Sequence, residues 1–103
     1  MDFVAHMKFR PSLSAAEVDG AMIRRASYEY PEGVKLIAEY WPISSASQVV
    51  AIWSADSIDR ILEMALEWDD VFEIDVHPAI SAEDGLRAGP EIFARLPRLR
   101  QPA

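Results

Sequence analysis

Within the first eighty residues the hydrophobic pattern changes its period in a fixed order, and that order constrains the fold more than any single segment does. From Phe3 to Phe9 the pattern alternates, with Phe3, Ala5, Met7 and Phe9 on one side and Val4, His6 and Lys8 on the other. A helical period follows, carried by Val18, Met22, Arg25/Ala26 and Tyr30, and Pro31-Glu32-Gly33 stops it. Val34 to Trp41 alternates again. Gln48 to Ser54 is rich in β-branched and aromatic residues and reads as a buried strand. A second helical stripe, Ile58, Ile61, Leu62, Ala65 and Leu66 with Trp68 at its edge, precedes a last alternation from Phe72 to His77.

Local signals agree with these boundaries. Ser14 and Glu17 have capping-box spacing, with Leu13 and Val18 placed as a hydrophobic staple. Pro42 to Ser47 reads as the connection between two strands, and Asp56 and Asp59 open the second helix. Asp69 and Asp70 oppose the dipole at its far end, so the helix stops before them.

Strand, helix, strand, strand, helix, strand is the split βαβ arrangement. It predicts an α+β, ferredoxin-like fold, a four-stranded antiparallel sheet in order 4-1-3-2 with both helices on one face. The domain spans 1–80, and 81–103 is a C-terminal tail of short helical turns packed back through Leu86, Ile92, Phe93 and Leu96. The alternation predicts that Phe3/Ala5/Met7/Phe9, Leu36/Ala38/Tyr40 and Phe72/Ile74/Val76 meet the helices. The open face then carries Val4, His6, Lys8, Ile37, Glu39, Trp41, Glu73, Asp75 and His77, with either Trp53 or Ile52. Such a mixed patch marks an interface or a ligand site.

Composition narrows the function classes. With no cysteine there are no disulfides, thiolate nucleophiles or cysteine-ligated metals. The N-terminus lacks the pattern of a signal peptide, and no apolar run is long enough to span a bilayer, so a cytoplasmic protein without membrane contact is expected. The net charge of -7 argues against nucleic acid. Residues 1–80 hold 6 Lys/Arg and 14 Asp/Glu, a net of -8, whereas 81–103 carry +1; a mildly basic tail of this kind lies on the acidic body or on a partner.

Few motifs carry chemistry. His6 and His77 are the two histidines, and an antiparallel first and fourth strand brings His6 beside Asp75. A histidine next to a carboxylate suits a general base and its orienter, so His6 and Asp75 are the catalytic candidates. Glu39, Tyr40, Trp41, Trp53 and His77 are the ligand-binding candidates, the tryptophans as pocket walls. No metal-ligand spacing is present, and no metal or other cofactor is expected. Gly85 to Gly89 lacks the strand and lysine of a phosphate loop, and Ser44, Ser45 and Ser47 form a turn rather than a nucleophile elbow.

The stretches Tyr30-Pro31-Glu32-Gly33-Val34-Lys35-Leu36-Ile37-Ala38-Glu39-Tyr40-Trp41 and Trp68 to Ala79 resemble a family of uncharacterised small bacterial proteins. The resemblance covers about residues 1–85 and extends to the dimeric α+β-barrel superfamily, in which two ferredoxin-like units pack sheet to sheet. It implies a homodimer through the open face and transfers no activity. Two functions follow: a non-catalytic or small-ligand-binding homodimer, which is preferred, and a cofactor-free monooxygenase or isomerase acting on a small apolar substrate held between sheet and helices. The second would use His6 as base, Asp75 as orienter and Trp41, Tyr40 and Trp53 as walls.

Overall fold

The computed structural model describes residues 1–99. Its elements run β1 (Asp2–Phe9), α1 (Ala15–Ala26), β2 (Val34–Tyr40), β3 (Val49–Ala55), α2 (Ile58–Trp68), β4 (Phe72–Ala79) and α3 (Ala82–Leu99). The four strands form one antiparallel sheet in the order β2-β3-β1-β4, so the α+β, ferredoxin-like expectation holds.

The local signals act as their chemistry dictates. Ser14 Oγ accepts from the Glu17 amide at 3.2 Å, and Glu17 Oε1 accepts from the Ser14 amide at 3.1 Å, closing the capping box of α1. That helix ends at Ala26, one turn earlier than its sequence period suggests, and Tyr28 and Tyr30 lie in the connection to β2. Gly33 has φ +87°, a left-handed conformation that lets the chain turn into β2. Gln48 ties the β2–β3 connection to β1: its Oε1 accepts from the Phe9 amide at 2.8 Å and its amide donates to the Met7 carbonyl at 2.9 Å.

The core lies between the sheet and the helices. Phe3, Ala5 and Met7 from β1 and Val49, Ala51, Trp53 and Ala55 from β3 meet Ile61, Met64 and Trp68 of α2. The buried stripe of α2 is therefore rotated from the expected one. Ile61 and Trp68 belong to it, but Ile58, Leu62 and Leu66 are 65%, 57% and 66% exposed. Large side chains set the rotation: Met64 fills the helix–sheet gap, and Trp68 packs edge-on against Tyr28 at 5.3 Å.

The facing of β2 departs from simple alternation. Leu36 pairs with Trp53, but Ala38 pairs with Ile52, so Ile37 is the extra residue of a β-bulge. Beyond it the strand's two sides exchange. Glu39, opposite Ala51, faces the helices, and Ala38 and Tyr40, opposite Ile52 and Val50, face away. Ala38 and Tyr40 are thus absent from the core, and Glu39 and Trp41 leave the open face, contrary to the expectation from period two.

The tail is also different. Ala82–Leu99 is one helix, not a set of short turns, and residues 100–103 of the expected tail lie outside the described residues. Ser81 Oγ accepts from the Asp84 amide at 3.1 Å, and Arg87 pairs with Glu83 and Asp84, so the first turn is capped and charge-paired. Pro90 and Pro97 each remove one amide donor without ending the helix. Nor does α3 pack back. None of its described residues is buried, and Leu86 and Phe93 are 79% and 69% exposed. An 18-residue helix is about 27 Å long. The long dimension of 57 Å, against 30 and 23 Å, fits a domain with this helix projecting from one end.

Candidate functional site

The bulge in β2 carries a charged residue into the helix–sheet layer, and α1 supplies its partner. Arg25 stands three residues after Met22 and four after Ala21, on the side of α1 that faces the sheet. Its Nε lies 3.1 Å from both Glu39 oxygens and its Nη2 lies 3.0 Å from Oε1. Trp41 Nε1 donates to Glu39 Oε2 at 2.7 Å, and the Tyr30 hydroxyl donates to Oε1 at 3.3 Å. The Arg25 guanidinium also sits 5.6 Å from the centre of the Tyr30 ring. One carboxylate thus gathers three donors from α1, the α1–β2 connection and the end of β2.

These groups edge an apolar cavity of about 30 Å³ between the sheet and helices α1 and α2, with Met22, Trp53, Met64 and Trp68 among its walls. A volume of that size holds a water molecule or two. The side chains of Glu39 and Arg25 are 11% and 28% exposed, and Trp41, at 50%, lies at the rim. Two buried polar atoms of the wall, Trp53 Nε1 and the Tyr28 hydroxyl, have no hydrogen-bond partner among the described residues. Trp53 lies near enough to the Tyr30 hydroxyl to influence its ionisation, but the pair makes no bond of normal geometry.

The electrostatics follow from this packing. Burial opposes ionisation of Glu39, but the bonds from Arg25 and Trp41 outweigh it and hold the carboxyl below its ordinary range. The bond to Glu39 raises Arg25. Burial raises Tyr30, opposed by Arg25, and raises Tyr28 strongly with help from Glu67. At neutral pH the site is an ionised pair edged by two neutral phenols.

Of the residues singled out from the sequence, Glu39, Trp41 and Trp53 meet at this cavity. Tyr40 is exposed on the opposite face. His6 and Asp75 are cross-strand neighbours there, as their register required, and His77 stands opposite Val4. All three are exposed, and no hydrogen bond joins His6 to Asp75. With the sheet between them and the cavity, His6 and Asp75 do not line the space between sheet and helices. Lys8 stands opposite Glu73, while Glu39 is beyond its reach on the other face. Among the described residues no cluster of three or more His, Asp or Glu is placed to hold a metal ion.

Sequence reasoning missed Arg25, Tyr28 and Tyr30. The signal was an arginine inside the apolar stripe of α1: a cation there needs a buried anion.

No helix among the described residues is long and apolar enough to cross a membrane. The chain matches no curated protein and no solved structure. Residues 1–93 do match a family, and the match runs past the resemblance read from the sequence, through Phe93 of α3. By that match over nearly its whole length, the chain belongs to the family described as a domain of unknown function, DUF3303.

Proposed function

We propose that this protein is a non-catalytic homodimer that binds a small, largely apolar ligand carrying a hydrogen-bond acceptor, held between α1 and the sheet. The observation that carries this reading is the unpaired Trp53 Nε1 in the wall of an apolar cavity already edged by the Arg25–Glu39 pair. An indole N–H left unpaired in the interior costs about 1–3 kcal/mol, which a ligand oxygen would relieve. The cavity of about 30 Å³ is far below the roughly 300–1,000 Å³ of a typical ligand pocket. A ring-sized ligand therefore enters by displacing the half-exposed Trp41, which is held at the rim by its bond to Glu39.

The alternative, a cofactor-free oxygenase or isomerase, needs a base at this cavity. Glu39 is saturated by three donors and held ionised, and so it is a poor proton acceptor. Binding fits the site better than proton abstraction.

The dimer reading rests on the open face. Val4, Val50 and Ile52 are half-covered there, and Ile37 and Tyr40 are 52% and 72% exposed. Each large apolar side chain buried on pairing contributes about 1.5–3 kcal/mol, against several kcal/mol of lost motional freedom. Glu73, Asp75 and His77 on the edge strand β4, with Lys8 near the end of β1, then belong at the rim, and His6, between Val50 and Asp75 in the middle of the face, has to keep a polar partner on pairing.

Phenol, cyclohexanone and benzene are suitable probes, because all three tryptophans line the cavity and report through their fluorescence. Phenol or cyclohexanone should quench saturably, benzene more weakly, and Trp53→Phe should remove the difference. Equal, non-saturating quenching by all three would defeat the binding reading. For the dimer, sedimentation equilibrium should give twice 11.6 kDa, and Tyr40→Asp should shift it towards monomer.

A further inference from the structure

Two apolar surfaces of this chain face water and match one another. One is the stripe of α3: Leu86, Gly89, Phe93 and Leu96 follow helical spacing, with Ile92 at its margin. The other is a groove of about 270 Å³ between α2 and β4, walled by Ile58, Leu62, Ala65, Ile74, Val76 and Pro78. We propose that α3 of one copy docks in the α2–β4 groove of a second copy, and that the exchange is reciprocal.

Three observations select a second copy as the occupant. The first is geometry. Only Ile80 and Ser81 separate β4 from α3, and Ser81 is committed to the helix by two bonds: its carbonyl accepts from the Gly85 amide at 2.8 Å and its hydroxyl from Asp84. None of the described residues of α3 is buried, so the helix does not lie in its own groove, and the 57 Å long dimension fits a helix that projects from the body.

The second is charge. The groove belongs to a body of net -8, and Asp59 and Glu63 lie beside Leu62 and Leu66 on the exposed side of α2. Within Ala82–Leu99 three arginines balance three acids, but the charges are segregated: Glu83 and Asp84 lie in the first turn and Arg95 and Arg98 in the second half, which is the part that faces the acidic groove. The third is size. A reciprocal exchange docks two helices in two grooves, and so doubles the area that one would bury towards the roughly 1,200–2,000 Å² of a stable interface. The family match also runs through Phe93, so most of the arm is part of the family's domain rather than an appendage.

The groove lies on the helix side, apart from the open sheet face, and the exchange joins the same two copies, so the mass stays at twice 11.6 kDa and the two contacts are tested separately. A chain without cysteine allows a direct test. Single variants Ile58→Cys and Leu62→Cys, one set carrying a mass tag, are mixed with Leu86→Cys and Phe93→Cys and oxidised mildly. At least one groove–arm pair should form a mixed-mass disulfide dimer about tenfold or more faster than Leu62→Cys with Glu91→Cys, since docking raises the local thiol concentration. The double variants carrying both cysteines of that pair should give covalent dimers. A double variant that closes within one chain, at monomer mass, overturns the proposal in favour of a helix folded onto its own groove. Disulfides no faster than the Glu91→Cys control for every pair overturn it as well.

Discussion

Arg25 holds Glu39 through two nitrogens, Nε at 3.1 Å and Nη2 at 3.0 Å, two residues beyond the bulge at Ile37. The contact joins α1 to an edge strand of the sheet at the one place where β2 turns a charge towards the helices. Removing Arg25 leaves a carboxylate only 11% exposed without its cation. Arg25→Met should therefore lower stability by about 2–3 kcal/mol, and Glu39→Gln, which keeps the shape and an acceptor, by about 1 kcal/mol. Urea denaturation checks the order, and an Arg25→Met loss below that of Glu39→Gln would contradict it.

Glu39 also sets a pH dependence. Its folded pKa lies below the ordinary 4.5, so the unfolded chain binds more protons in this range and stability rises with pH. The contribution is fully present above about pH 5 and is lost as pH falls through 4.5 to the depressed folded value. Melting temperatures from pH 7 to pH 3 should fall less steeply for Glu39→Gln than for the unmodified chain. Parallel curves would show that the pair contributes nothing to acid sensitivity.

Deleting one residue from a strand usually turns every later side chain to the wrong face. Ile37 should be an exception. Without it, Leu36, Ala38 and Glu39 still stand opposite Trp53, Ile52 and Ala51, now in an uninterrupted ladder, and Glu39 still faces Arg25. The deletion should fold and keep the acid dependence just described, whereas deletion of Ala5 from β1 should abolish cooperative unfolding. Circular dichroism melts distinguish the two, and loss of folding on removing Ile37 would count against the bulge.

Two glycines should respond with opposite signs. Gly33, at φ +87°, would strain an alanine, at a cost of about 1–2 kcal/mol, even though its nearest neighbour, Asp56 Oδ2, is 3.8 Å from the added carbon. Gly20 lies inside α1, where an added Cβ would meet nothing beyond the helix's own backbone within 4 Å among the described residues. Gly20→Ala should stabilise by about 0.5–1 kcal/mol. A destabilised Gly20→Ala would point to a contact on that face of α1.

The fold was legible because the first six elements showed their periods in a fixed order, although α1 ends a turn before its period suggests and α3 showed no single helical signal. The order of six elements left one simple topology, and Ser14 and Glu17 marked the start of α1. The candidate site was less legible because it depends on one irregularity. Strict alternation puts Glu39 with His6 on the open face. The single extra residue at Ile37 moves it to Arg25, and neither neighbour of Ile37 carries a glycine or proline that would signal a bulge. The rotation of α2 was hidden for a similar reason. Its apolar residues cover more than one face, and only packing decides that Met64 goes in and Leu62 stays out.

The central position of β1 has a kinetic consequence. Its ladder partners are Val49 to Ser54 on one side and Phe72 to Ala79 on the other, so none of its sheet bonds is local. The β2–β3 hairpin and the two capped helices can form from neighbouring residues within microseconds, but β1 has to find a slot assembled from segments far along the chain. During synthesis β1 emerges before either strand it pairs with, and it is among the last to be paired on both edges. Its side chains Phe3 and Met7, deeply buried once folding is complete, spend that interval uncovered. A chaperone that samples nascent chains would find β1 the longest-exposed apolar strand of this sheet.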